Sequence, residues 1–140
     1  NVCIVKCCFS EASQLMIYIL KFSRKLGNLD NPKAQAQYYV GWCEDDRLEE
    51  RLDEHTSGRG AKITRAAIEQ GITFEVVAVI PGDRWVERAI KNRGNTPKLV
   101  EQLARNGWQA PDSLYTAAQR VKAATIAKWD AINAAARAAA

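Results

Sequence analysis

The chain of 140 residues has a single histidine, His55, and a single methionine, Met16. With one imidazole available, a structural zinc site would need nearly every cysteine. The four present, Cys3, Cys7, Cys8 and Cys43, form no C-x-x-C pair, and zinc is set aside. They read instead as reduced thiols of a cytoplasmic protein. No apolar run reaches about eighteen residues, so no membrane-spanning helix is expected. The opening NVCIVKCCFS carries no charged n-region and no small-residue cleavage site, which argues against a signal peptide. It also lacks an initiator Met, as a trimmed or partial chain would, and no internal repeat follows.

What is present is the composition of an ordinary globular domain, 47% hydrophobic and 26% charged. The length suffices for one domain with a real core. The net charge of +4 is modest but unevenly spread. Residues 44 to 54 hold seven acids and two arginines, whereas Arg84 to Arg105 holds six basic residues against Glu87 and Glu101. Such a balance permits nucleic-acid binding without demonstrating it.

Leu15 to Phe22, LMIYILKF, has the apolar run and strand formers of a buried strand. Gly27, Asn28, Asp30, Asn31 and Pro32 mark SRKLGNLDNPKAQA as a long loop, and Gln37 to Val40 reads as a short strand ending at a Gly41 turn. Asp45 or Asp46 can cap a helix to about Glu54, with Leu48 and Leu52 inward. Arg47, Arg51 and His55, at i, i+4 and i+8, share one face of it. A second helix spans roughly Ala61 to Gln70 and closes at Gly71. ITFEVVAVI, Ile72 to Ile80, is the best strand, stopped by Pro81-Gly82. Asp83 caps a third helix that Gly94 ends. Thr96-Pro97 opens a fourth, with Thr96 as the cap. Asp112-Ser113 begins a long alanine-rich helix.

Tyr39-Val40-Gly41, the four-residue step from Arg51 to His55, the run HTSGRGAKITR from His55 to Arg65, and Glu87-Arg-Ala-Ile-Lys91 occur in that order. Together they resemble the GIY-YIG nuclease superfamily, most closely its small stand-alone and structure-specific DNA-repair members. The likeness covers about Leu15 to Leu99. Two departures stand out. Met16 precedes Ile17-Tyr18 where the family has glycine, and the segment from Gly41 to Arg51 is longer than usual, which makes Arg47 an alternative arginine.

The resemblance implies an α+β fold: a small, mainly antiparallel three-stranded sheet flanked by helices, here with a C-terminal helical extension. It divides the chain into an N-terminal segment 1–14, a nuclease-like domain 15–106, and a linker with the alanine-rich helix at 107–140. It further implies a metal-dependent DNA endonuclease that hydrolyses phosphodiesters at branched, flapped or damaged sites. Tyr18, Tyr39, Arg51, His55 and Glu87 take the catalytic positions, and Glu87 is also the ligand for Mg2+ or Mn2+. Arg59, Lys62, Arg65 and Lys91 are the candidate DNA contacts.

The chemistry suits those residue types. Arg51 can bind two phosphate oxygens, and one tyrosine takes the water's proton. A phenol near pKa 10 needs help from a cation or from His55, whose ordinary pKa predicts a rate inflection at about pH 6 to 7. Each residue also has a structural reading. The tyrosines fill strand faces, Arg51 and His55 lie on a solvated helix face, and Glu87 and Lys91 form a surface ion pair.

Two other functional readings compete: a DNA-binding module without catalysis, and a nuclease subunit switched on by a regulatory protein or by homodimerisation. No membrane partner is expected, and the compartment is cytoplasmic, at the nucleoid or in a nucleus. Docking on the core is the favoured role of the last helix; dimer contact and a DNA-backbone arm are its alternatives.

Overall fold

The computed structural model describes residues 14–27, 30–31 and 35–139. The readings of the N-terminal segment, with Cys3, Cys7 and Cys8, and of Asn28 and Pro32 as loop residues lie outside these. The first strand, β1 (Leu15–Gly27), is central: the sheet runs β2-β1-β3, with β2 at Gln35–Glu44 and β3 at Phe74–Pro81, both antiparallel to β1. A central strand is covered on both faces, which is why LMIYILKF is apolar at every position but Lys21 rather than alternating. Its residues divide by the period of two. Ile17 and Ile19 enter one core, while Tyr18 and Leu20 enter the other.

Helices fill both faces. On one side lie α1 (Leu48–Thr56), contributing Leu48 and Leu52, and α2 (Lys62–Glu69), contributing Ala67 beneath Phe22 and Ile72. On the other lie α3 (Arg84–Arg93), α4 (Thr96–Arg105) and α5 (Asp112–Ala138). Val86 and Ile90, Leu99 and Leu103, and Leu114 and Ala118 close over Ile17, Ile19 and Ile80. The architecture is α+β.

Several boundaries differ from the sequence reading. β1 continues five residues beyond Phe22, and β2 passes straight through Gly41 to Glu44. The polar residues Arg24 and Lys25 fall where the β1–β2 register shifts, between Lys21 and Leu26, and they stay exposed. Pro81 ends β3 inside the ladder, opposite Met16, as a proline can on an edge strand. Asp45 and Asp46 do not cap α1. They form a 3-10 turn, Asp45–Arg47, ahead of it. Asn95, not Thr96, is the N-cap residue of α4.

Other punctuation is as read. Asp83 Oδ1 accepts hydrogen bonds from the amides of Trp85 (2.9 Å) and Val86 (3.2 Å), and Gly94 closes α3 at φ 68°.

The last helix has 27 residues, about 40 Å at 1.5 Å per residue. Its first turns are fastened by Leu114, by Ala118, and by the Tyr115 hydroxyl, which donates to the Pro81 carbonyl at 2.9 Å. From Ile126 to Ala139 every residue is exposed, including Trp129 at 59%. No helix among the described residues is long and apolar enough to cross a membrane.

The two halves of α5 should therefore respond differently to truncation. Leu114→Ala, in the packed half, is expected to cost about 2–5 kcal/mol in urea unfolding. Trp129→Ala should stay within about 0.5 kcal/mol.

Candidate active site

Two opposed strand positions set the site. Tyr18 on β1 pairs across the sheet with Gly41 on β2, and its ring lies over that glycine. A Cβ at Gly41 would sit 2.4 Å from both Cζ and the hydroxyl of Tyr18. Gly41 is thus no turn residue. It is glycine so that a buried phenol can cross the backbone at close range. Tyr39, two residues earlier on β2, points to the same face, its ring centroid 6.2 Å from that of Tyr18.

The helix after β2 supplies the polar partners. Arg51 and His55 are one turn apart on α1, and His55 is fully buried. Its Nε2 lies 2.7 Å from the Tyr18 hydroxyl and its Nδ1 2.9 Å from Thr64 Oγ1 on α2. The Tyr39 ring meets the imidazole edge-on at 5.1 Å. The loop between α1 and α2 completes the seat, since a Cβ at Gly60 would fall 2.2 Å from Nδ1.

In front of this buried triad opens a cleft of about 540 Å³, lined by Tyr18, Tyr39, Trp42, Cys43, Glu44, Arg47, Arg51, Glu54 and Glu87. Glu87 comes from the first turn of α3, the helix that packs along β2. Elements from both faces of the sheet therefore meet at its β2 edge. The five candidate catalytic residues come together there, four lining the cleft and His55 behind them.

Of the four candidate DNA contacts only Lys91 is close, 2.5 Å from Glu87 and 6.0 Å from the Tyr39 ring. Arg59, Lys62 and Arg65 are exposed on the α1–α2 loop and on α2, and none lines the cleft. Arg59 bonds Ser57 and Arg65 pairs with Glu69.

Burial governs the electrostatics. It raises the Tyr18 phenol well above the usual range; neighbouring Tyr39 adds to this and Arg51 partly offsets it. Burial also pushes the His55 imidazole down to about 4, with the Arg51 charge acting in the same direction and Glu54 against it. At neutral pH both rings are uncharged. An inflection at pH 6 to 7, expected of an ordinary histidine, is therefore not expected of this one. Arg51 pairs with Glu54 at 2.5 Å, and that contact holds the Glu54 carboxyl below its ordinary pKa.

Sequence reasoning did not single out Trp42, Glu44 or Glu54 at the cleft, nor Thr64 beneath it. Helix phase could have found Glu54, one turn from Arg51, whereas strand phase puts Trp42 and Glu44 on the face opposite Tyr39, Gly41 and Cys43 and gave no signal for them. Among the described residues no group of three or more His, Cys, Asp or Glu side chains is placed to hold a metal ion.

Two outcomes follow from this geometry. Gly41→Ala should displace the Tyr18 ring and lower stability by about 1–3 kcal/mol, as overpacking does. The second concerns pH. The folded pKa of His55, about 4, lies below its ordinary 6.5, so on acidification the unfolded chain binds this proton first. Stability tied to His55 is full above pH 6.5, falls towards pH 4 by roughly 3 kcal/mol, and levels off below. Urea unfolding of wild type and His55→Gln at pH 7 and pH 4.5 should show the extra loss only in wild type.

No protein-family model, curated protein or solved structure matches the chain.

Proposed function

We propose that the chain is a metal-dependent DNA endonuclease that hydrolyses phosphodiester bonds, as its resemblance to the GIY-YIG nucleases implies. The observation that carries the reading is the convergence of Tyr18, Tyr39, Arg51, His55 and Glu87, from four separate elements, on one open polar cleft. Strand filling explains a buried tyrosine. It does not explain a tyrosine, an imidazole and a guanidinium held together beside an open groove.

Tyr18 is the phenol that hydrogen-bonds the imidazole, so it is the better placed of the two tyrosines to act as base. Its burial disfavours a free phenolate. Proton transfer is then concerted: the Tyr18 oxygen takes a proton from the attacking water as its own proton passes to His55 Nε2. Net, one proton moves from water to His55. The Arg51 charge opposes imidazolium in the resting protein. A phosphate on Arg51 neutralises that charge and makes His55 more basic when substrate is bound.

Glu87 is the residue that would hold Mg2+ or Mn2+. Its carboxylate already accepts a cation, the Lys91 ammonium, at the cleft wall, and one carboxylate in an open cleft suits an ion that keeps most of its water. The bound ion would supply positive charge for the phosphate and leaving oxygens. Arg59, Lys62 and Arg65 would contact DNA beyond the cleft through its backbone. A chain with buried reduced Cys43 that acts on DNA belongs in the cytoplasm, at the nucleoid or in a nucleus.

The Glu87–Lys91 pair is also what favours the competing reading. In a DNA-binding module or partner-dependent subunit that pair stays closed, and in the latter the exposed half of α5 would meet a regulatory protein or a second copy.

Incubation with labelled branched and linear DNA, with and without manganese, separates these readings. The expected result is manganese-dependent cutting of branched DNA. Glu87→Gln should lower turnover on the order of 10²-fold or more with little change in DNA binding. Arg51→Lys should be similarly impaired, because lysine cannot make the two-toothed contact. Salt-sensitive binding without cutting by the wild type, alone and with candidate partners, would falsify the nuclease reading.

A further inference from the structure

The signature HTSGRGAKITR holds a buried residue with no part in the chemistry above, Thr64. Its hydroxyl touches two groups. One is the Ala61 carbonyl at 2.8 Å; the other is His55 Nδ1 at 2.9 Å. A hydroxyl has one hydrogen to give, so the two contacts cannot both be donated by Thr64.

With the imidazole neutral, only one assignment places every hydrogen. Thr64 donates to the Ala61 carbonyl and accepts from Nδ1–H, which leaves Nε2 bare to accept from the Tyr18 hydroxyl. If Thr64 instead donated to Nδ1, its oxygen and the Ala61 carbonyl oxygen would face each other at 2.8 Å with no proton between them. Nε2–H would then point at the Tyr18 oxygen, and the imidazole would have no lone pair for the phenol's proton. Water cannot substitute for Thr64, since the imidazole is fully buried and the Gly60 backbone closes over Nδ1.

We propose that Thr64 is a positioning residue that fixes His55 in its Nδ1–H tautomer, so that Nε2 can take the proton of Tyr18. This is the tautomer a free imidazole in water favours less, so its presence reports on Thr64 rather than on intrinsic preference. The ladder continues to α2 itself. Thr64 is anchored to the carbonyl of the residue that begins the helix, so the start of α2 and the proton acceptor are set by the same hydroxyl. The catalytic meaning rests on the nuclease reading; the tautomer does not.

The sole histidine makes the test direct, because a uniformly 15N-labelled chain gives one imidazole spin system. Long-range 1H–15N correlation of the DNA-free protein at neutral pH should show protonated Nδ1 and bare Nε2. Thr64→Ser should keep that pattern and most of the turnover. Thr64→Val keeps the side chain's shape without the oxygen. It should shift the ring towards the Nε2–H form and cut kcat on the order of 10²-fold or more, with KM little changed.

An Nε2–H ring in wild type, or an unchanged Nδ1–H ring in folded Thr64→Val, overturns the proposal. If the valine variant does not fold, the wild-type and serine spectra still decide the tautomer. Should the tautomer be as stated while no DNA is cut under any condition, the nuclease reading fails and the hydrogen-bond assignment stands.

Discussion

The hydrogen bond between the Tyr18 hydroxyl and His55 Nε2 is the contact on which the site depends. It joins the central strand to α1 at the buried back of the cleft, and neither partner is left unsatisfied. A buried phenol or imidazole without its partner would cost more than an ordinary hydrogen bond contributes. The pair therefore sets how α1 lies on the sheet, which in turn brings Arg51 to the cleft one turn earlier. The same burial that makes the bond structural also keeps both the phenol and the imidazole neutral at rest.

Close approach of backbone is the second constraint. Gly41 lets the Tyr18 ring lie across β2, and Gly60 lets the α1–α2 loop close on the imidazole. In both places a single Cβ would collide with a ring atom that already holds a hydrogen bond or lies beside one, so the ring could only move at the expense of that bond. These glycines answer to packing against a named side chain rather than to a turn. That is why Gly41 stands mid-strand.

Much of the fold could be read from local pattern. LMIYILKF announces a strand buried on both faces, Asp83 and Gly94 bracket α3, and the apolar phase of ITFEVVAVI marks β3. The hairpin's extent could not. Leu26, Gly27 and residues 41 to 44 join the ladder because the opposite strand supplies their backbone partners, the first two beyond a register shift that follows Lys21, and no side-chain pattern records a backbone partner. The step from Arg51 to His55 was legible as one helix face. That His55 is buried was not, because the residues covering it are Tyr18, Tyr39, Gly60 and Thr64, spread over three other parts of the chain.

Residue identity and spacing by themselves determined which groups are available: two tyrosines, an arginine and histidine one turn apart, and a glutamate at the start of a helix. They also marked helices and strands, because helical and strand periodicities are local properties; the α+β arrangement was what the resemblance implied, and the antiparallel sheet shows it. The tertiary structure alone decided that these groups share one cleft, which tyrosine hydrogen-bonds the imidazole, and that Arg59, Lys62 and Arg65 lie outside the cleft lining. It also decided the charge state of the pair. An ionisable group's pKa depends on water and charge within a few ångströms, and here those neighbours come from segments far apart in the sequence.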